Sequence, residues 1–183
     1  LLCINKYDVG DSATDELINK YKSIGYHVIT TSATHNTGID ELRSQLQHKV
    51  TAFAGPSGVG KSSLLNAVDE KFAFQTGEIS GKIKRGKHTT RHASLFSLNT
   101  DSFIMDTPGF SCIEFTDITL ERLPTLFPEF SDYVDSCKFS PCYHEHEPIC
   151  GIKEALADHK IYESRYDAYQ IIRKDIQNQR KRF

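Results

Sequence analysis

Apolar positions at the head of the chain form a short continuous run, Leu1-Leu2-Cys3-Ile4, which predicts a buried strand. Polar and apolar residues then recur at helical spacing over Asp11–Ile24, with Ser12 and Asp15 placed as a capping box. A second strand is predicted at His27–Thr31, a helix at Ile39–His48 and a third strand at Val50–Ala54. Gly55–Ser62 is a glycine-rich turn that feeds a helix over Ser63–Val68. His92–Leu98 and Phe103–Asp106 read as a hairpin around Asn99-Thr100-Asp101. Strands alternating with helices predict an α/β sheet dominated by parallel pairs. After Phe110 the pattern changes. Ile118–Phe127 and Ile152–Phe183 read as largely helical, with Pro124 breaking the first, and a Cys/His/Pro-rich loop lies between them. Residues 71–91, rich in Gly and Lys and weakly patterned, are expected to be a mobile loop.

Composition narrows the class. Of 183 residues, 38% are hydrophobic and 25% charged, which suits a folded domain with a small appendage. No apolar run is long enough to cross a bilayer and no secretory leader precedes the first motif, so a cytoplasmic monomer without membrane attachment is expected. The opening strand, already under way at Leu1, and the single methionine, Met105, suggest that a preceding segment has been removed. The formal charge of -2 means that any nucleic-acid contact must come from a local patch. The five cysteines, an odd number, argue against a disulfide framework.

Gly55-Pro56-Ser57-Gly58-Val59-Gly60-Lys61-Ser62-Ser63 contains the pattern G-x-x-x-x-G-K-[ST] between a strand and a helix, the context a phosphate-binding loop requires. Its glycines let successive N–H groups turn inward on a polyphosphate, and the helix N-terminus adds positive potential. Lys61 is expected to reach the β- and γ-phosphates and Ser62 to bind Mg²⁺. Asp106-Thr107-Pro108-Gly109 closes a later strand with the form D-x-x-G. Asp106 suits a water-mediated Mg²⁺ contact, and Gly109 a backbone N–H to the γ-phosphate.

Asn5-Lys6-Tyr7-Asp8 ends the opening strand. The Asp8 carboxylate can accept from guanine N1–H and the exocyclic amine, a donor pair that adenine lacks, so adenine would leave the carboxylate unpaired. Asn5 would brace the loop, and the Lys6 stem can lie over the base. Ser32 and Ala33, at the end of the next strand, could offer backbone N–H groups to guanine O6. N-K-x-D and S-A here precede the phosphate loop and D-x-x-G follows it, the reverse of the order in ordinary GTPases. A circular permutation keeps strands in place while moving the chain ends to another loop.

Cys137, Cys142, His144 and Cys150 form C-x4-C-x-H-x5-C. Three thiolates and an imidazole make a closed tetrahedral set for one structural Zn²⁺. His146 is assigned to the solvated loop, and Cys3 and Cys112 to buried apolar surroundings.

With these motifs in place, the chain resembles the bacterial small-ribosomal-subunit biogenesis GTPase A family, the circularly permuted ribosome-assembly GTPases. Asn5-Lys6-Tyr7-Asp8, Gly55–Ser63, Gly86-Lys87-His88-Thr89-Thr90, Asp106-Thr107-Pro108-Gly109-Phe110, Leu126-Phe127-Pro128-Glu129-Phe130 and the Cys137/Cys142/His144/Cys150 knot carry the resemblance. That family normally has an OB-fold before N-K-x-D, and the sequence opens almost at N-K-x-D, in keeping with the expectation that a preceding segment has been removed. The implied fold is a circularly permuted P-loop three-layer αβα sandwich over residues 1–117, plus a small helical zinc-binding domain over 118–183. The resemblance further implies GTP hydrolysis to GDP and phosphate, stimulated by the small ribosomal subunit during its late assembly, and contact with its rRNA.

Phe110 stands directly after D-x-x-G, where many GTPases carry a water-orienting Gln, so slow intrinsic hydrolysis is expected. Thr90 is the candidate for Mg²⁺ and γ-phosphate sensing, with Thr89 the alternative, and His88 could position water. Lys82, Lys84, Arg85, Lys87 and Arg91 form a basic run suited to rRNA phosphates or simply to solvent. Arg173, Lys174, Arg180, Lys181 and Arg182 are assigned to a solvated helix face. Two other functions compete: a P-loop ATPase or kinase, which Asn5 and Asp8 disfavour, and a nucleotide-gated RNA-binding module with incidental hydrolysis.

Overall fold

A computed structural model of the chain describes residues 1–72, 94–106 and 118–180; of Ser94, Asp106 and Arg180 only the backbone is described. It divides into two compact units, Leu1–Ile113 and Glu114–Phe183.

In the first unit, β1 (Leu2–Ile4) pairs in parallel with β2 (Val28–Thr30), joined by α1 (Ser12–Ser23). The parallel register requires a crossover, and α1 supplies it. The helix starts one residue earlier in its capping logic than Ser12/Asp15 predicts. Asp11 is the cap: its Oδ1 accepts from Thr14 N at 3.1 Å, and Thr14 Oγ1 accepts from Asp11 N at 3.3 Å. Asp11 lies in extended backbone and so can turn its carboxylate onto the first turn. α2 (Ile39–Gln45) follows, then β3 (Val50–Ala52), α3 (Lys61–Val68), β4 (Ser94–Ser97) and β5 (Phe103–Asp106). β5 lies between β3, its parallel neighbour, and antiparallel β4, which is the expected hairpin.

Ile29, Ile39, Leu42, Leu46, Leu64, Leu65, Val68 and Ile104 form one buried cluster, so both strand groups and α2 and α3 share a core. Arg43 strengthens that join. Its Nε and Nη2 donate to Val68 O at 3.0 and 2.9 Å, satisfying the carbonyl end of α3 from a side chain on α2.

The second unit is less helical than its sequence pattern predicts. Ile118–Phe127 holds no α-helix. Instead, single 3₁₀ turns occupy Leu123–Leu126, Pro128–Phe130 and Val134–Ser136. Pro128 starts its turn and Pro124 is the second residue of its own, positions where a missing N–H costs nothing, whereas inside an α-helix each would break it. The predicted helix over 152–183 is two helices, α4 (Gly151–Ala157) and α5 (Glu163–Arg180). Leu123, Phe127, Phe130, Ile152, Ile161, Tyr169 and Ile176 close their core. No helix among the described residues is long and apolar enough to span a membrane.

Candidate guanine-nucleotide site and metal knot

The phosphate loop follows β3 and runs into α3, whose cap, Gly60, offers no side chain to the first-turn amides. Gly60 has φ of 93°, and a Cβ there would lie 2.4 Å from Asn5 Nδ2. The left-handed backbone favours glycine, and a side chain there would also displace Asn5. Lys61 Nζ donates to Gly55 O at 2.6 Å and to Pro56 O at 2.9 Å, so the loop curls around an ammonium group. Ser57, Gly58 and Val59 are exposed, while Ser62 and Ser63 are half-buried at the start of the helix.

The base loop meets this loop directly, although more than fifty residues separate them. Asn5 Nδ2 donates to Val59 O at 2.9 Å, and Lys6 Nζ to Gly58 O at 2.9 Å. Lys6 takes a left-handed backbone conformation, φ 62°, which turns the chain sharply after β1. Its aliphatic stem therefore bridges the two loops. Behind Asn5, Thr31 Oγ1 donates to Asn5 Oδ1 at 3.2 Å and Ala33 N reaches the same oxygen at 3.4 Å. Tyr7 N donates to Thr31 O at 3.1 Å. The ends of β1 and β2 are thus locked together beside the phosphate loop.

Asp8 follows on the same turn. The neighbouring Ser32 hydroxyl is the largest influence holding its pKa below the ordinary carboxylate value; partial burial opposes that, and His35 and Lys6 add to it. His35 Nδ1 lies 3.5 Å from Asp8 Oδ2 and 3.2 Å from Ser32 Oγ. Sequence reasoning considered only the backbone of Ser32 and passed over His35 altogether. The available signal was position alone, a histidine three residues after the serine in a loop that a Ser32–Thr37 bridge pinches shut.

Asp106 ends β5, beside β3 and hence beside the strand that feeds the phosphate loop. Its side chain, together with Thr107, Gly109, Phe110, Cys112, His88, Thr89, Thr90 and the basic run Lys82–Arg91, lies outside the described residues. So does nearly all of the predicted loop at 71–91. Cys3, expected to sit in apolar surroundings, is only half-buried, and its thiol lies 3.3 Å from Thr31 Oγ1.

With this geometry in hand, the family is decided by comparison. Residues 1–116 match the model of the RsgA GTPase family. The chain belongs to the RsgA GTPase family. The chain is 43% identical over 181 residues to the small ribosomal subunit biogenesis GTPase RsgA of Agathobacter rectalis, covering 98% of this chain and 60% of that protein. It is likewise 43% identical over 182 residues to the protein of that name from Clostridium kluyveri, covering 99% and 63%. Among solved structures, YjeQ from Thermotoga maritima superposes with a TM-score of 0.76 at 36% identity, over 96% of this chain and 59% of that one. YloQ, described as a circularly permuted GTPase, gives 0.73 at 36% identity, over 98% and 57%. The chain therefore spans about three fifths of the RsgA relatives it matches. The α/β fold and permuted motif order expected from the sequence agree with these neighbours.

The second unit gathers Cys137, Cys142, His144 and Cys150 so that their ligand atoms all lie within 4.8 Å of one another. Cys137 Sγ and Cys150 Sγ are 3.9 Å apart, and His144 Nδ1 lies 3.6 and 3.3 Å from them. The edges of a tetrahedral zinc site are about 3.8 Å for S···S and about 3.5 Å for S···N, from bond lengths of about 2.3 and 2.1 Å. The donor set therefore fits a metal ion of that kind. Burial pushes the Cys142 thiol up to about 12 and raises Cys150, and it lowers His144. A bound cation inverts the balance for the thiols, because thiolate is the ligating form.

α5 holds the ligand loop in place. Tyr166 Oη and Gln170 Nε2 donate to His144 O at 2.6 and 3.1 Å, and Tyr169 Oη donates to Tyr143 O at 3.0 Å. Arg173, expected on a solvated face, is 6% exposed. Its guanidinium pairs with Glu145 and lies over the Tyr143 ring, while its Nε has no hydrogen-bond partner among the described residues. The reason for the miss is periodicity: Arg173 falls on the same face of α5 as Tyr166, Tyr169 and Gln170. His146 is exposed, as expected, with Glu145 3.4 Å away.

Proposed function

We propose that the chain is the catalytic and metal-binding part of a GTP hydrolase that acts in small-ribosomal-subunit assembly, with residues 1–117 as the GTPase domain and 118–183 as a zinc domain. The carrying observation is the pair of bonds from Asn5 and Lys6 to Val59 and Gly58. They bring a guanine-type base loop and a polyphosphate-type loop to one place, so that Asp8 can read the base of the nucleotide whose phosphates the loop holds. Ala33 and Ser32 close the base from the other strand. Gly55, Pro56, Ser57, Gly58, Val59, Gly60 and Ser63 supply backbone around the phosphates, and Lys61 supplies charge. Ser62 is the residue for Mg²⁺, with Asp106 and Thr90 completing its surroundings; the ion would neutralise charge developing on the phosphate oxygens.

In hydrolysis, water attacks the γ-phosphorus and the bond to the β,γ-bridging oxygen breaks, leaving GDP and phosphate. Lys61 and the amide of Gly109 stabilise that charge, and His88 is the candidate for orienting the water. Phe110 cannot orient it, which makes slow intrinsic turnover the expectation. The RsgA relatives are named for small-subunit biogenesis, which supports the ribosomal subunit and its rRNA as partners. It also supports a cytoplasmic setting. The Cys137/Cys142/His144/Cys150 set is assigned one structural zinc, which would stabilise a unit too small for a large core.

The test is GTP turnover with and without purified small subunits, using a chain extended to the length of its relatives and ATP as competitor. Strong stimulation, with GTP preferred, is expected. Unchanged turnover, or ATP competing equally, would overturn the proposal. If Ser62→Ala abolished turnover but left subunit binding to a non-hydrolysable GTP analogue intact, binding rather than hydrolysis would be the core activity.

A further inference from the structure

We infer that His35 is a positioning residue for guanine selection, its imidazole placed between the Ser32 hydroxyl and the Asp8 carboxylate; the inference rests on the guanine site proposed above. The surroundings of His35 carry the argument. His35 Nδ1 lies 3.2 Å from Ser32 Oγ and 3.5 Å from Asp8 Oδ2, so one ring nitrogen faces both the hydroxyl and the carboxylate. His35 N donates to Ser32 Oγ at 3.2 Å and pins the backbone of the residue to the same serine. The tautomer that carries a hydrogen on Nδ1 presents the positive end of an N–H to the Asp8 carboxylate.

Asp8 thus has Ser32 and His35 beside it, both on the loop that the Ser32–Thr37 bridge closes. A carboxylate has about four lone-pair sites. His35 faces Oδ2, and the remaining sites can take a planar pair of donors. Reading two adjacent N–H groups needs a carboxylate fixed in rotation, because a freely rotating one would meet a single donor almost as well. His35 is 62% exposed at its side chain, so its role is orientation of Asp8 rather than packing. Among the described residues Lys6 also acts on Asp8, and its ammonium is committed to Gly58 O.

The test compares binding of GDP and IDP by the 183-residue chain, because inosine keeps N1–H and lacks the exocyclic amine. In His35→Ala, GDP affinity should fall by about tenfold, the loss expected for one hydrogen bond to a charged group. IDP affinity should fall less, so the GDP/IDP ratio shrinks. His35→Asn, whose side-chain N–H can occupy the place of Nδ1–H, should restore the ratio. A ratio in His35→Ala within twofold of the parent, or an Asn variant that loses as much as Ala, would overturn the inference. A parent chain that does not prefer GDP to ADP would instead overturn the guanine site itself, which keeps the two failures distinct.

Discussion

Replacing Gly60 by Ala isolates the contact on which the site depends. Two costs are expected. The first is conformational: a side chain held at φ 93° pays about 1–2 kcal/mol for a left-handed backbone. The second is specific to the site. The new Cβ would lie 2.4 Å from Asn5 Nδ2, well inside contact distance, so Asn5 must leave its bond to Val59 O. A bond of that kind contributes about 0.5–1.5 kcal/mol. Gly58 is the internal control. It has φ of 82°, and nothing lies within 4 Å of its would-be Cβ, so Gly58→Ala carries the first cost alone. Urea unfolding followed by far-UV circular dichroism should show Gly60→Ala less stable than Gly58→Ala by about 1 kcal/mol, and GDP binding should weaken more in the former. In an Asn5→Ala background the excess should vanish, because the clashing partner is gone. Equal losses at Gly58 and Gly60, or an excess that survives Asn5→Ala, would refute the reasoning.

Other consequences follow from the same geometry. Removing the metal with a strong chelator, or replacing Cys150 with Ser, should lower the metal content from one ion per chain to none and melt the second unit; retention of α5 helicity in the apo chain would contradict a structural ion. Acid should release the ion as the thiolates take up protons, so metal content measured against pH must fall on the acid side. Glu145→Ala leaves the nearly buried Arg173 without its carboxylate and should cost about 3 kcal/mol, whereas Lys174→Ala on the exposed side of α5 should cost less than about 0.5 kcal/mol. Asp8, whose pKa is lowered chiefly by the Ser32 hydroxyl, keeps its charge to lower pH than an ordinary carboxylate. GDP affinity should therefore hold as pH falls from neutrality and weaken only on the acid side of the ordinary Asp value. Ser32→Ala should move that loss to higher pH; an unshifted profile would count against the influence of Ser32 on Asp8.

The parts of this molecule legible in the sequence are those whose chemistry fixes spacing. A phosphate loop needs its glycines and lysine at set intervals between a strand and a helix, and four metal ligands must crowd along a short stretch, so Gly55–Ser63 and Cys137–Cys150 could be read directly. Their order along the chain, with Asn5–Asp8 first, carried the permutation. What escaped the reading depends on contacts across the fold. His35 looks like an ordinary loop histidine until the Ser32–Thr37 bridge turns it onto Ser32 and Asp8. Arg173 sits in a basic stretch whose composition suggests solvent, yet α5 presents it to Glu145. The segment before Phe127 has helical spacing, but Pro124 within it and Pro128 just after it confine the chain to single turns. Likewise, Asp11 displaced Ser12 as helix cap through one residue of register, which periodicity does not resolve.

The convergence of base loop and phosphate loop on one guanine nucleotide is tested most directly by titrating Asp8→Asn and the parent chain with GDP and XDP. An asparagine offers one acceptor and one donor, which match the N1–H and C2 carbonyl of xanthine but oppose the exocyclic amine of guanine. The parent should prefer GDP, and the variant should lose GDP affinity by about a hundredfold while gaining for XDP. A variant that binds GDP as the parent does, with no gain for XDP, would contradict the placement of Asp8 at the base.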